Sequence, residues 1–200
     1  MRARPAERSG AHDLDEQLVA RARSGDRAAF GELVRRHQGP ALRVAATICG
    51  STEEARDIVQ EAFVKAHGAL GQYRGDAPVR SWLLRTVANE AKNACRARGR
   101  RTRREERFER LRLVTAHPAD VADDLVTADE AGQILRALRA LSLADREVLG
   151  CRFVAGLSEQ ETASTLGVPV GTVKSRTARA LSRARALLEP QAPTTTEVAR

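Results

Sequence analysis

Apolar residues recur at spacings of three and four along most of the chain, the period of helices with one buried face. Leu18, Val19 and Ala22 mark a first helix that ends near Ser24-Gly25, and Asp26 is placed to cap a second, whose stripe is Phe30, Leu33 and Val34. Gly39-Pro40 predicts an interruption, after which residues 41–49 resume the pattern with Leu42, Val44, Ala45 and Ile48. Ser51 or Thr52 offers the next cap, ahead of Glu53 and Glu54, for a helix to about residue 70 with Ala55, Val59, Ala62, Phe63, Ala66 and Leu70 inward. Residues 71–78 read as a loop. Ser81 then predicts a cap for a helix over about 82–97, facing inward with Leu83, Leu84, Val87, Ala88, Ala91 and Ala94. A later helix over 128–141 carries Ile134, Leu135, Leu138 and Leu141, and one over about 144–155 carries Val148, Leu149, Arg152 and Phe153.

Residues 157–188 are the most informative. Ser158 with Glu161 three residues on forms a capping box, and Gly167-Val168-Pro169 breaks the chain into a tight turn. A second helix follows, with Val173, Thr177, Ala180, Leu181, Ala184 and Leu188 on one face and Thr172, Ser175, Arg176, Arg179 and Arg183 on the other; Lys174 and Arg185 flank them. No acidic residue occurs between Thr162 and Leu188. Apolar back, basic front and a preceding tight turn make a helix-turn-helix, whose second helix enters the major groove, where Arg forks onto guanine and Ser, Thr or Lys hold phosphate. A solvated hairpin with an arginine-rich surface is the plain alternative.

Composition narrows the class. A net charge of +8 over 200 residues favours a polyanionic partner, and few aromatics with abundant Ala, Leu, Arg and Glu favour an all-α protein. Cys49, Cys95 and Cys151 are far apart and show no zinc spacing to His12, His37, His67 or His117, so buried reduced thiols are expected, with no metal and no cofactor. No apolar run is long enough to span a membrane, which predicts a cytoplasmic protein. The expected organisation is two small helical domains joined by a flexible linker: a disordered leader (1–13), an N-terminal domain (14–98), a linker (99–127), a C-terminal helix-turn-helix domain (128–188) and a disordered tail (189–200).

Three further stretches suggest surfaces. Asp57, Gln60, Glu61, Val64 and His67 lie opposite the apolar face of their helix, which suits a positively charged protein partner or a merely solvated face. Tyr73, the only Tyr, stands beside Arg74 in the loop, where it either stacks on an unpaired base or anchors the core. Arg85, Asn89, Lys92 and Arg96 form an outward stripe suited to nucleic acid, with Glu90 bringing an acid close to it. An Arg-rich run then extends to Arg104, as a phosphate-contacting arm or a solvated linker.

These motifs, in this order, resemble bacterial RNA polymerase sigma factors of the extracytoplasmic-function branch, over about residues 14–188. Asp57-Ile58-Val59-Gln60-Glu61-Ala62-Phe63 is similar to the segment by which the family docks on the β′ clamp helices; Tyr73-Arg74-Gly75-Asp76 resembles its Phe-Arg-Gly-Asp loop. Ser81-Trp82-Leu83-Leu84-Arg85 with Asn89, Lys92 and Asn93 resembles the −10-reading helix, and Gly171-Thr172-Val173-Lys174-Ser175-Arg176 with Arg179 the −35-reading helix. The resemblance implies a non-catalytic promoter-specificity subunit whose partners are core RNA polymerase (β′ clamp helices and β flap), promoter DNA and an anti-sigma factor. On that basis Asp57, Gln60, Glu61 and Val64 would bind polymerase. Tyr73, Arg74, Arg85, Asn89, Lys92 and Arg96 would take the melted −10 strand. Thr172, Lys174, Ser175, Arg176, Arg179 and Arg183 would take the −35 duplex. A stand-alone helix-turn-helix regulator is the alternative, and a nuclease is disfavoured because the carboxylates do not cluster at metal-site spacing.

Overall fold

The computed structural model describes residues 5–112 and 130–188, with side chains resolved for most of them. Every regular element among these is helical: α1 (Pro5–Arg23), α2 (Arg27–Cys49), α3 (Thr52–Gly68), α4 (Val79–Arg112), α5 (Glu130–Ala140), α6 (Leu143–Leu149), α7 (Glu159–Leu166) and α8 (Val170–Leu188). A 3₁₀ turn (Leu70–Gln72) follows α3, and α6 runs on into a π-helical turn (Gly150–Val154).

Local chemistry sets the starts. Asp26 accepts the N–H groups of Ala28 and Ala29, Ser51 (rather than Thr52) accepts that of Glu54, and Ser142 accepts that of Asp145. Four expectations need correction. Pro40 lies inside α2 rather than between two helices. Leu33, His37, Ala41 and Val44, on both sides of it, share one buried face, and that packing outweighs the roughly 3 kcal/mol cost of an internal Pro. Helix α1 begins at Pro5, inside the expected leader, because Ala, Arg and Glu favour helix and Pro suits a first turn. Helix α4 runs to Arg112 through the first half of the expected linker, for the same reason of composition, and it starts at Val79, so Ser81 lies within its first turn and is not its cap. Residues 113–129, the rest of that linker, and the tail 189–200 lie outside the described residues.

The N-terminal core packs α1 to α4 around Leu33, Val44, Ile48, Leu83, Leu84 and Val87, all essentially inaccessible. Each such side chain contributes about 1.5–3 kcal/mol. Beside it Asp15 of α1 is buried with His37 and Arg36 of α2, receiving the His37 Nε2–H at 2.8 Å and the Arg36 Nε–H at 2.9 Å. Burial raises the Asp15 carboxyl, but the bonds and charges of His37 and Arg36 outweigh it and hold the group below the ordinary carboxylate range. A smaller core, Leu141, Val148, Leu149, Ala163, Val173 and Ala180, joins α5 to α8.

The two domains touch. Cys151, Ala155 and Leu157 belong to the N-terminal core cluster although they lie in the C-terminal half. Arg139 Nε donates to the Gly50 carbonyl at 2.7 Å, Arg80 donates to that of Ala155, and Lys92 Nζ stands 2.8 Å from Glu147 Oε1. Four residues expected inward are not: Ile134, Phe153, Leu181 and Leu188 are about half exposed. The helices that carry them are packed on one side only, and their apolar stripes are wider than the contact.

Candidate nucleic-acid and partner interfaces

The helix-turn-helix is held by backbone chemistry at each joint. The Ser158 N–H donates to Glu161 Oε2 at 2.6 Å while the Glu161 N–H donates to Ser158 Oγ at 3.1 Å, a reciprocal cap for α7. Gly167 ends α7 at φ +66°, a conformation that an L side chain rarely adopts. Val173 and Ala180 lock α8 onto this unit from within. Lys174, Ser175 and Arg179 then stand exposed on the outer face, with Thr172 and Arg176 half-buried at its edge. Lys174 comes only to 3.7 Å from the exposed Glu159. Arg183 is different: its Nη1 lies 2.6 Å from Oδ2 of the buried Asp145, so it ties α8 to α6. The buried carboxylate gains a partner there, while the Arg183 side chain stays 56% exposed.

On α4 the stripe divides. Asn89 and Arg96 are exposed. Arg85 is exposed too, yet its guanidinium lies beside the Gly167 turn. Lys92 is half-buried, its ammonium against Glu147, whose side chain is only 7% exposed. Glu90 does not face the stripe; it turns toward α3, where Lys65 bridges it at 2.6 Å and Glu61 at 2.9 Å.

Tyr73 is an anchor. Its ring is buried, tilted against Trp82 with centroids 5.3 Å apart, and its hydroxyl donates to the Ala77 carbonyl at 2.8 Å. Burial raises its pKa, with Glu16 adding to the effect. Arg23 of α1 clasps the loop by donating to the carbonyls of Leu70, Gly71 and Tyr73. One edge of the ring nevertheless lines a cavity of about 190 Å³ with Arg74, Ser81, Trp82, Arg85 and, from α7, Ser164. The pocket is large enough for a base, and the C-terminal domain forms one of its walls.

The predicted partner residues of α3 stand along a crest and fall to its two sides. Asp57 and Glu61 look into a polar trough shared with α4. Gln60 and Val64, the latter 67% exposed, border an apolar groove of about 850 Å³ between α2 and α3, with Phe30, Val34, Leu42 and Phe63. The groove residues on α2 went unnoticed in the sequence, where Phe30 and Val34 read only as core. Glu147, Cys151 and Leu157 were missed as interdomain contacts for the same reason: an inward position does not say which domain supplies the other wall.

Family models for sigma-70 region 2 and sigma-70 region 4 match residues 33–101 and 131–183, which are the α2–α4 unit and the helix-turn-helix unit. The ECF RNA polymerase sigma factor SigM of Mycobacterium tuberculosis is 37% identical over 187 residues, covering 90% of this chain and 87% of that one. The chain belongs to the ECF sigma factor family. The ECF RNA polymerase sigma-E factor of Escherichia coli K12 is 36% identical over 177 residues, 83% of this chain and 90% of its own length. Among solved structures, CnrH in complex with the cytosolic domain of CnrY matches at TM-score 0.67 and 30% identity over 90% of this chain and 99% of that one. The sigma factor RpoE in complex with the anti-sigma factor NepR from Bartonella quintana matches at TM-score 0.62 and 25% identity over 82% and 98%. As a member of this family the chain is a DNA-binding transcription-initiation factor that works with RNA polymerase. No described helix is long and apolar enough to cross a membrane.

Proposed function

We propose that this sigma factor holds core polymerase on the α3 crest, captures unpaired −10 bases along α4 and reads −35 duplex with α8, supplying recognition and no chemistry of its own. The observation that carries this is the separation of faces on one domain. The α3 crest with its groove and the outward stripe of α4 occupy different sides, so polymerase and DNA can be engaged together. A partner astride α3 would meet Asp57 and Glu61 on one flank and Gln60 and Val64 on the other. Arg74, Arg85, Asn89, Lys92 and Arg96 would hold the melted strand, with Tyr73 closing the floor of the base pocket. On α8, Thr172, Lys174, Ser175, Arg176 and Arg179 would face the groove, each good bidentate base contact contributing about 1–3 kcal/mol of discrimination.

Engagement of the −10 strand requires the C-terminal domain to leave α4, because Lys92 is committed to Glu147 and α7 walls the base pocket. Single-stranded DNA would bind only the opened form, and so would draw the population toward it. An anti-sigma factor, of the kind bound to the RpoE of Bartonella quintana, would favour the closed form. A cytoplasmic location is part of the same proposal, since polymerase and promoter would be the partners.

The test is reconstitution with bacterial core polymerase, comparing wild type with Asp57→Ala/Gln60→Ala by co-elution and run-off transcription from host promoters. Binding and initiation by wild type, and their loss in the double variant, are expected. A protein that ignores core yet binds a duplex site alone would instead be a stand-alone regulator.

A further inference from the structure

Arg23 belongs to none of the contact surfaces assigned above, yet it is committed to the loop that walls the base pocket. That loop spans residues 69–78, between α3 and α4, and supplies Gln72, Tyr73, Arg74, Asp76 and Ala77 to the cavity. Little of it is regular. Two backbone bonds, from the Gln72 N–H to the Ala69 carbonyl and from the Tyr73 N–H to that of Leu70, close its 3₁₀ turn, and Gly75 follows at φ +81°. A short connection of this kind keeps one shape only where neighbouring elements fix it.

We propose that Arg23 is a positioning residue for −10 base capture: through the Leu70, Gly71 and Tyr73 carbonyls, its guanidinium holds the pocket loop in the shape that receives the base. This rests on the −10 reading given above. The fork is spent on backbone. Nε donates to the Leu70 carbonyl at 2.9 Å, and Nη2 donates to those of Gly71 at 3.0 Å and Tyr73 at 2.5 Å. The nearest carboxylate along the chain, Asp26, is taken by Arg21 at 2.6 Å and by the N–H groups of Ala28 and Ala29. The platform behind the fork is firm, because Leu18, Val19 and Ala22 of α1 are buried in the core and Asp15 is bonded to His37 and Arg36.

The bond to Tyr73 matters most to the pocket. The Tyr73 carbonyl shares one planar peptide group with the Arg74 N–H, so holding it sets the direction in which the chain enters Arg74 at the cavity. The side chain of Tyr73 is fixed separately, its hydroxyl by the Ala77 carbonyl at 2.8 Å and its ring by Trp82 of α4. Arg23 therefore secures from α1 the backbone of a residue whose ring is secured from α4. Charge alone does not do this: a planar guanidinium serves three carbonyls from two nitrogens, and an ammonium cannot reproduce that fork. A loop ordered before the strand arrives need not be ordered at capture. Leaving the backbone of one residue to be fixed at that step corresponds to about a tenfold loss of affinity.

The test uses the full chain, free and assembled with bacterial core polymerase, as wild type, Arg23→Lys, Arg23→Gln and Arg21→Gln. The last removes the same charge from the same end of α1. In the free chain Trp82, the only tryptophan, reports the loop. Acrylamide quenching of its fluorescence should rise in both Arg23 variants and stay at the wild-type level in Arg21→Gln. For the holoenzyme, a promoter that it selects from a random-sequence library is presented as a pre-opened bubble, intact or with an abasic site at successive −10 positions of the non-template strand. Wild type should lose affinity when the captured base is missing. Both Arg23 variants should bind the intact bubble about tenfold more weakly and shrink the abasic penalty by the same factor. Co-elution with core and dependence on the −35 duplex should not change. An Arg23→Lys variant that behaves as wild type overturns the proposal, because charge would then suffice. Equal weakening on intact and abasic strands overturns it too, as does unchanged Trp82 quenching. Loss of core co-elution also overturns it, by making Arg23 a support of the whole domain. A wild-type holoenzyme that shows no abasic penalty at any position overturns the base-capture reading itself, and this inference with it.

Discussion

Replacing Glu147 by Gln should loosen the junction between the two domains without disturbing either core. The carboxylate is 7% exposed and its partner Lys92 22% exposed, so the pair lies between the surface case and the fully buried one. Exposed pairs contribute about 0–1 kcal/mol, and breaking a buried pair costs about 3–5 kcal/mol. About 2 kcal/mol is the fitting value for this junction, which corresponds to a roughly 30-fold rise in the open fraction at 1.4 kcal/mol per tenfold. Cys151 reports opening. It is fully buried in the N-terminal core cluster, and burial, with Glu147 adding to it, pushes its thiol up to about 12, so it cannot react while the domains are docked. Its alkylation, followed peptide by peptide by mass spectrometry at low reagent concentration, should track the opening equilibrium and accelerate about 30-fold in the variant. Cys49 sits within the N-terminal domain, its thiol also raised by burial, and should keep its wild-type rate. An unchanged Cys151 rate would refute the reasoning by showing that the ion pair does not hold the junction. Equal acceleration of Cys49 and Cys151 would refute it differently, by showing that the variant unfolds as a whole.

Two further outcomes are expected. Asp15→Asn should cost about 3 kcal/mol in urea unfolding at neutral pH, since it leaves Arg36 and His37 without the carboxylate they share. The folded pKa of Asp15 is depressed, so its contribution is present above the unfolded value of about 3.9 and is lost as pH falls through the folded value; the gap between wild type and variant should close over that acidic window, and a gap that stays constant to pH 2 would count against the pairing. Gly167→Ala should destabilise the helix-turn-helix by about 1–2 kcal/mol in thermal unfolding, because φ is +66° there, and the nearest neighbour of an added Cβ, Arg85 Nη2 at 3.9 Å, sits at ordinary contact distance and leaves backbone strain as the main cost.

Much of this molecule was legible along the chain because helices are local objects. The capping box of Ser158 and Glu161, the caps at Asp26 and Ser51 and the turn at Gly167 depend on residues within four positions of each other, and each stands where the sequence puts it. The inward faces of α3 and α4 followed from spacing alone. Spacing failed where the answer depended on a distant element. Pro40 reads as a break, yet the core on both sides of it holds α2 straight through. Leu181 and Leu188 continue the apolar stripe of α8 yet stand 41% and 51% exposed.

The candidate surfaces divide the same way. The sequence by itself determined which residues are basic, apolar or helix-capping and on which face of each helix they lie, because 3.6 residues per turn fixes those angles. Only the tertiary structure decided that Arg183 serves Asp145, that Lys92 serves Glu147, that Tyr73 is both anchor and pocket wall, and that the α3 acids part from Gln60 and Val64 across a crest. Those outcomes turn on charges and walls contributed by helices tens of residues away. Coulomb attraction and burial act through space, and the spacing of residues along a chain carries no record of which helix will arrive on the other side.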